Sequence, residues 1–269
     1  MSEPTDKEYW GKFYSGTKLN YPNSRVELLT SILCTDIEEA FLIPGGKKKI
    51  LEVGCGGALF SGLMAARGYQ VACCDFSPEA VEIARQNLSG IKPPVEVFVG
   101  DVLDLPVAPG SFDLVYCGGL LDIFDDPAPA FRGICKVLRP GGVLVASLPS
   151  RNFSIQTLGD IFNGAVHGVK SAFGRPSENW RRYRENISHA PAKPPSFYAE
   201  AAIAGGLSVL TVQKGYPLPE LSLPGLLKRA YVRAIRGAAG LLKGKVFSNN
   251  LFFRLFGIYY YLAARKPGL

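Results

Sequence analysis

Short apolar runs alternate with amphipathic segments through the middle of the chain. The runs hold mostly Val, Ile, Leu and Cys and are four or five residues long, which is typical of strands buried on both faces of a parallel sheet. The segments between them carry apolar residues at helical spacing. This alternation predicts an α/β fold, a sheet with helices on both faces. The predicted strands are Lys49–Val53, Val71–Cys74, Val95–Val99, Leu114–Cys117 and Val143–Ser147.

The predicted helices have recognisable ends. One runs from about Ala58 to Arg67, and Gly68 ends it. The next begins at the sequence SPE of residues 77–79, which supplies an N-cap hydroxyl, a first-turn proline and a first-turn acid. A third runs from about Pro127 to Leu138 and ends at a Pro-Gly-Gly sequence. These ends fix the connections between the strands.

The regions outside this core predict further elements. We expect residues 1–44 to form a helical cap, 45–149 the core, 150–195 an insertion after strand five, and 196–269 the rest of the sheet. Residues 207–215 read as strand six and residues 255–266 as strand seven, with a second insertion, 216–253, between them. The chain is thus one domain with helical insertions after strands five and six.

A glycine-rich turn follows the first strand, in the sequence ILEVGCGGA of residues 50–58, and the second strand ends at Asp75. Such a βαβ unit binds nucleosides, because glycines let the backbone pass close beneath the ligand and the acid binds the ribose hydroxyls. Glu52, two residues before the first glycine, would repel a pyrophosphate. The pattern therefore favours a cofactor with a positive centre and no phosphate, such as S-adenosylmethionine.

Three further motifs follow in order: CCDFSPEAVEIARQN, VFVGDVLDLP, and FDLVYCGGLLDIFDDP running into VLRPGGVLVAS. Together the four resemble the class I S-adenosylmethionine-dependent methyltransferases, and more narrowly the group with the quinone-biosynthesis and other small-molecule enzymes. The resemblance covers about residues 50–147. It implies a Rossmann-like, seven-stranded, mostly parallel sheet. It also implies S-adenosyl-L-methionine as cofactor, with S-adenosyl-L-homocysteine as product.

The resemblance assigns the cofactor site residue by residue. It implies that Asp75 binds the ribose and that Asp101 accepts from the adenine amino group, although Asp104 competes for this role. Ala58 stands where the family often has glycine, a departure that a helix start should tolerate. The full set of expected cofactor-binding residues is Glu52, Gly54, Cys55, Gly56, Asp75, Phe76, Asp101, Val102, Cys117 and Gly118.

The catalytic groups are less well defined. A base is needed only where the methyl acceptor must lose a proton. The two histidines, His167 and His189, both lie in the insertion after strand five, but loop histidines are more often exposed than catalytic. Quinone-type relatives carry a Glu-His pair after strand four, and here Asp122 is followed by Ile123. We take His167, His189, Asp122 and Tyr183 as candidates, with Tyr198 as a further substrate-side group.

Composition excludes several classes of protein. The six cysteines show no CxxC and no metal-ligand spacing, so we expect buried, reduced thiols and no metal site. The polar, acidic start predicts no signal peptide, and no uncharged apolar run reaches membrane-spanning length. We therefore expect a cytoplasmic protein, with membrane association left open by its charge.

The charge is concentrated at one end of the chain. From Leu221 onward there are nine basic and no acidic residues, which leaves 21 basic against 23 acidic residues elsewhere, a net of −2. Residues 224–245 predict an amphipathic helix. Its apolar stripe would comprise Leu227, Tyr231, Ile235, Ala238 and Leu242, and its basic face Arg229, Arg233 and Arg236.

Such a helix binds a membrane surface or packs on its own domain with a solvated basic face. We expect a small hydrophobic or amphiphilic methyl acceptor, with an anionic water-soluble metabolite or RNA as alternatives. Nucleic acid is disfavoured because no RNA-binding module is present, although arginines beside Trp180 keep it open. An NAD(P)-dependent oxidoreductase is disfavoured because Leu59 replaces the third glycine of a dinucleotide motif.

Overall fold

A computed structural model describes residues 7–15, 24–42, 48–149, 155–172, 193–244, 246–247 and 251–268. Seven strands form one sheet in the order β3-β2-β1-β4-β5-β7-β6. The strands are β1 (Lys49–Val53), β2 (Gln70–Asp75), β3 (Glu96–Val99), β4 (Phe112–Gly118), β5 (Leu138–Pro149), β6 (Ser208–Gly215) and β7 (Tyr259–Arg265).

The sheet is mostly parallel, as predicted. Strands β1 to β5 pair in parallel, whereas β7 lies antiparallel between β5 and β6. The pairing of Ser147 with Tyr261 and of Pro149 with Tyr259 fixes the register of β7 on β5. Because β7 runs against both neighbours, the carboxyl ends of β4, β5 and β6 lie at the same edge as the amino end of β7.

The helices cover both faces of the sheet. They are α1 (Lys7–Ser15), α2 (Arg25–Phe41), α3 (Leu59–Ala65), α4 (Pro78–Leu88), α5 (Ala128–Val137), α6 (Ile155–Ala172), α7 (Pro195–Ala204), α8 (Gly225–Gly237), α9 (Ala239–Leu242) and α10 (Leu251–Phe256). A 3-10 turn, Leu121–Ile123, follows β4. Helices α5 and α7 close one core with Phe131 and Tyr198, and α2 and α3 close the other with Ile37 and Phe60.

The core elements appear where the sequence predicts them, with small differences in length. The helix expected over 58–67 is shorter because Ala58 has a left-handed backbone, φ +55°, and stands before its first turn. This conformation costs a non-glycine residue roughly 1–2 kcal/mol, a cost that the structure bears with alanine at this position. In the first insertion, helix α6 runs from Ile155 to Ala172.

The basic helix of the second insertion is α8, and it packs against α2. Val232 and Ile235 are buried, whereas Arg229, Arg233 and Arg236 are exposed as predicted. The predicted apolar stripe is wrong at its start, because Leu227 is exposed together with Leu226. The buried face is therefore rotated toward Val232. Within the described part of the chain, no helix has the length and apolar character needed to span a bilayer.

Candidate cofactor site

A cleft opens at the carboxyl ends of β1, β2 and β4, where α/β sheets bind their ligands. Six of the ten expected cofactor-binding residues line it: Gly54, Asp75, Phe76, Asp101, Val102 and Gly118. The remaining walls come from Trp10, Tyr14, Val53, Gly100, Leu103, Gly119, Leu120, Ile123 and Phe124.

The glycine-rich turn forms the floor of the cleft. Gly54 and Gly56 have positive φ angles, +71° and +49°, which only glycine adopts without strain. The N–H groups of Gly54 and Cys55 donate to the Cys74 carbonyl at 2.9 and 3.0 Å, so the turn is tied to the end of β2. Cys55 itself is buried beside Cys73 and does not line the cleft. In the structure, Cys55 therefore contributes to the site by holding the turn through its backbone.

Asp75 connects this turn to the cleft. Its Oδ2 accepts from the Gly56 N–H at 2.9 Å and its Oδ1 from the Ser77 N–H at 3.0 Å. Burial raises the pKa of the carboxyl, and these backbone bonds oppose the rise. Each oxygen keeps acceptor capacity beyond one hydrogen bond. The side chain is thus oriented at the cleft wall, as a group that binds a vicinal diol must be.

The two acids that follow β3, Asp101 and Asp104, differ in their position relative to the cleft. Asp101 lines the cleft, and its Oδ1 accepts from the Leu103 N–H at 2.9 Å. Asp104 does not line the cleft; its side chain is 88% exposed and pairs with Lys136 at 3.4 Å. Asp101 is therefore the acid in position to meet an adenine amino group.

Glu52 is buried behind the floor of the cleft and does not line it. Its Oε2 accepts from the Ser61 N–H at 3.0 Å and from the Ser61 hydroxyl at 2.5 Å. Burial raises its pKa to about 7, the Ser61 bonds oppose this, and the charge of Asp75 adds to it. The expected contact with a methionine group would have to pass through an intervening group, such as water.

This shift predicts a pH dependence of stability. Between the ordinary pKa of 4.5 and the folded value of about 7, the folded chain keeps a proton that the unfolded chain has lost. The free energy of unfolding should therefore fall as pH rises from about 5 to 7, by roughly 1–3 kcal/mol. Glu52→Gln should flatten this slope in urea denaturation at pH 5 and 7.5. An unchanged slope in the variant would contradict the assignment.

Cys117 is a further expected residue that does not line the cleft. Its side chain is buried in the core between β4 and the α5 layer. Only the following residue, Gly118, reaches the cleft wall.

Helix α1 supplies one side of the cleft. It packs on α4 and places Trp10 and Tyr14 at the cleft, their rings stacked with centroids 5.9 Å apart. This part of the predicted helical cap therefore lies at the cleft. Sequence reasoning did not identify these two residues, although the aromatic segment EYWGKFY pointed to them.

The catalytic candidates are not gathered at the cleft. His167 is buried on α6, with Nε2 3.1 Å from the Ser222 hydroxyl, and does not line the cleft. Tyr198 is a core residue against Phe197. Asp122 lies in the 3-10 turn, between the cleft residues Leu120 and Ile123. His189 and Tyr183 lie outside the described residues. Among the described candidates, Asp122 is therefore the one nearest the cleft.

The cleft fits S-adenosylmethionine better than a phosphorylated cofactor. The acids Asp75 and Asp101 line it, and none of the described residues at its wall is lysine or arginine. A nucleoside with a cationic end suits this lining, whereas a pyrophosphate would be repelled. Among the described residues there is also no cluster of side chains suited to a metal ion.

Comparisons with known proteins agree with this geometry. A family model described as a methyltransferase domain matches residues 51–146. A ubiquinone biosynthesis O-methyltransferase from Xanthomonas campestris pv. campestris strain B100 is 34% identical over 175 residues, which cover 61% of this chain and 72% of that protein.

Solved structures share the fold at low identity. A geranyl diphosphate methyltransferase in complex with GPP and sinefungin has a TM-score of 0.53 at 18% identity, covering 88% of this chain and 78% of that one. The Haemonchus contortus phosphoethanolamine N-methyltransferase 2, bound to phosphomonomethylethanolamine and S-adenosylhomocysteine, has a TM-score of 0.55 at 19% identity. The match covers 96% of this chain and 56% of that one.

The motifs, the strand order, the acid-lined cleft and the sequence relatives lead to one assignment, which replaces the alternative of an oxidoreductase. The chain belongs to the class I S-adenosylmethionine-dependent methyltransferases.

Proposed function

We propose that this methyltransferase methylates an oxygen atom of a small lipophilic acceptor at the surface of an anionic membrane. The observation that carries the proposal is the apolar wall beyond Gly118 and Gly119, formed by Leu120, Ile123 and Phe124. An apolar wall at this end favours an acceptor with a hydrophobic body. The sequence relatives from ubiquinone biosynthesis are O-methyltransferases, which supports oxygen as the acceptor atom.

The proposed roles of the cofactor residues follow from their positions. Asp75 would accept from the two ribose hydroxyls, Asp101 would accept from the adenine amino group, and Phe76 and Val102 would flank the ring. Trp10 and Tyr14 would cover the site and exclude water. When bound, S-adenosylmethionine supplies an electrophilic methyl group and leaves as S-adenosylhomocysteine.

The reaction requires that the acceptor oxygen be aligned with the methyl group and that the acceptor hydroxyl lose its proton. The acceptor oxygen forms the new bond to the methyl carbon as the carbon–sulfur bond breaks, and the hydroxyl proton passes to a base or to solvent. Alignment of the reacting groups alone can lower a barrier by roughly 7–11 kcal/mol in favourable cases. Asp122 is our proposed base, because its turn carries the cleft residues Leu120 and Ile123.

Membrane contact is supported by the surface of the second insertion. Leu226 and Leu227 at the start of α8 are exposed, and so are Leu241, Leu251, Phe252 and Leu255 on the two following helices. The same segment carries exposed basic side chains, namely Lys228, Arg229, Arg233, Arg236, Lys243 and Arg254. Apolar side chains among basic ones match an anionic bilayer, to which each basic residue near the surface adds roughly 1 kcal/mol.

The proposal predicts where a transferred methyl group is recovered. Purified protein is incubated with methyl-labelled S-adenosylmethionine and a whole-cell extract, and the label is partitioned between organic and aqueous phases. We expect label in the organic phase as an alkali-stable methyl ether, and at least a tenfold loss with Asp75→Ala. Label confined to water-soluble metabolites or RNA would contradict the lipophilic acceptor.

Membrane binding is tested in a separate experiment. The protein should sediment with vesicles of phosphatidylcholine and phosphatidylglycerol but not with phosphatidylcholine alone. Leu226→Ser combined with Leu227→Ser should reduce this binding, because both side chains are exposed and apolar. Ile203→Ser is a matched control, because Ile203 is an exposed apolar residue on α7, outside the second insertion. Equal loss in both variants would contradict docking through α8.

A further inference from the structure

Helix α1 reaches the cofactor cleft with one of its sides. Trp10 and Tyr14, which line the cleft, are four residues apart and therefore lie one turn apart on that side. Gly11 belongs to the same stripe, three residues before Tyr14. All three are partly buried, whereas Lys12 and Phe13 are exposed. The side of α1 that faces the protein thus carries two aromatic rings with a glycine beside them.

Gly11 lies against a carboxylate of α4. Helix α1 packs on α4, and Glu79 stands in the first turn of α4. A Cβ built on Gly11 would lie 3.2 Å from Oε2, 3.3 Å from Oε1 and 3.4 Å from the carboxyl carbon of Glu79. The carboxyl group therefore turns its flat face toward the Gly11 Cα. A side chain at residue 11 would have to displace this group.

The carboxylate is held in place by Ser77, the N-cap residue of α4. The Ser77 hydroxyl donates to Oε2 of Glu79 at 2.6 Å, and it accepts from the Ala80 N–H at 3.3 Å. The Ser77 N–H donates to Oδ1 of Asp75 at 3.0 Å. Ser77 is fully buried, so these bonds fix its position. One residue thus connects the acid that lines the cleft with the acid that contacts α1.

We infer that Glu79 is a positioning residue for the cofactor site. Its carboxylate sets the distance between α1 and α4, and this distance places Trp10 and Tyr14 over the cofactor. Ser77 keeps the arrangement in register with the acid of the cleft. Glu79 does not itself line the cleft, so it acts through α1. The inference rests on the cover that the proposed function assigns to Trp10 and Tyr14, and it adds the group that holds this cover in place.

A first-turn acid also has an ordinary role in its own helix. A carboxylate near the amino end of a helix stabilises that helix through its dipole. This role concerns α4 alone and predicts no change in α1. The contact with Gly11 lies outside α4 and has no part in its capping. Positioning is therefore tested through α1 and the bound cofactor product.

The first measurement is the affinity for S-adenosylhomocysteine by isothermal titration. Glu79→Ala should lower this affinity about fivefold, the usual effect of losing one hydrogen-bonded contact. Glu79→Gln should restore it, because the amide oxygen accepts the same bond from Ser77. Glu82→Ala is the matched control, since Glu82 is, like Glu79, an exposed acid of α4 and pairs with Arg85. This control should leave the affinity unchanged.

Gly11→Ala separates the contact from helix propensity. Alanine favours a helix over glycine, so propensity alone predicts tighter cofactor binding. The contact predicts about threefold weaker binding, because the methyl group displaces the carboxylate from Ser77. In the Glu79→Ala background the methyl group occupies the vacated space, so the same substitution should raise the affinity. A reversal of sign between the two backgrounds identifies a direct contact.

The position of α1 is measured through Trp10 itself. In a Trp180→Phe protein, Trp10 is the only tryptophan. Saturation with S-adenosylhomocysteine should protect its fluorescence from quenching by acrylamide, and Glu79→Ala should lose most of this protection at equal saturation. A role confined to α4 would lower stability in urea and preserve the protection.

The inference and the cover on which it rests fail in different ways. Wild-type affinity in Glu79→Ala, tighter binding with Gly11→Ala in both backgrounds, or full protection of Trp10 in saturated Glu79→Ala would overturn the inference. If Trp10→Ala itself binds S-adenosylhomocysteine as tightly as the wild type, the cover is wrong and the inference falls with it. Weaker binding in Trp10→Ala with unchanged binding in Glu79→Ala would keep the cover and remove the positioning role.

Discussion

Asp75→Ala should lower the affinity for S-adenosylhomocysteine by at least 100-fold. Hydrogen bonds to a charged group contribute about 1.5–3 kcal/mol each, and a tenfold change in affinity corresponds to about 1.4 kcal/mol. A carboxylate that accepts from two ribose hydroxyls therefore accounts for two or more orders of magnitude. The substitution also leaves the Gly56 and Ser77 N–H groups without the carboxylate to which they donate at 2.9 and 3.0 Å in the wild type.

The matched control is Asp104→Ala. Asp104 is an acid of the same size that follows β3, close to the cleft residue Asp101, but its side chain is exposed and pairs with Lys136. Its variant should bind S-adenosylhomocysteine within twofold of the wild type. Isothermal titration gives both affinities, and thermal melting shows whether each variant is folded. If folded Asp75→Ala loses less than threefold, the ribose assignment is wrong.

The sequence carried enough information for the core of the fold and for the acids of the site. Buried parallel strands are mostly apolar, so β1, β2, β4 and the second half of β5 are visible as apolar runs, whereas β3 lies at the sheet edge and is only partly buried. Gly54 and Asp75 belong to a local motif, because the turn and the strand end that they occupy are adjacent in the sheet. Motifs of this kind can be predicted from the sequence, because the two strands that form them follow each other in the chain.

Features that depend on tertiary contacts were not visible in the same way. Trp10 and Tyr14 reach the cleft from a helix more than 35 residues before the glycine turn, and only packing on α4 brings them there. The choice between Asp101 and Asp104 depends on which side chain turns inward. The exposed position of Leu227 depends on how α8 lies against α2, which its own periodicity does not determine.

Gly133 is a further residue whose importance only the packing reveals. It lies inside α5, where glycine lowers helix propensity by about 1 kcal/mol relative to alanine. From sequence alone, Gly133→Ala would therefore be expected to stabilise the helix. In the structure, a Cβ built on Gly133 would lie 1.9 Å from the Val102 carbonyl oxygen.

We accordingly expect Gly133→Ala to destabilise the protein by about 3 kcal/mol or more, at or beyond the upper end of ordinary overpacking. The atom in the way belongs to the backbone, so no side-chain rotation relieves the contact, and α5 must move away from the segment after β3. Val102 lines the cleft. The folded variant should therefore also bind S-adenosylhomocysteine at least tenfold more weakly.

Gly164→Ala provides the comparison, because this glycine is also within a helix, α6, and a Cβ there meets no atom within 4 Å. It should be neutral or stabilising by up to about 1 kcal/mol. Urea denaturation of both variants, with titration of S-adenosylhomocysteine into each, separates helix propensity from packing. Equal effects of the two substitutions would show that α5 is not in close contact with the adenine side of the cleft. Opposite signs would show that glycine is required at residue 133 because the helix and the Val102 carbonyl share the space a methyl group would need.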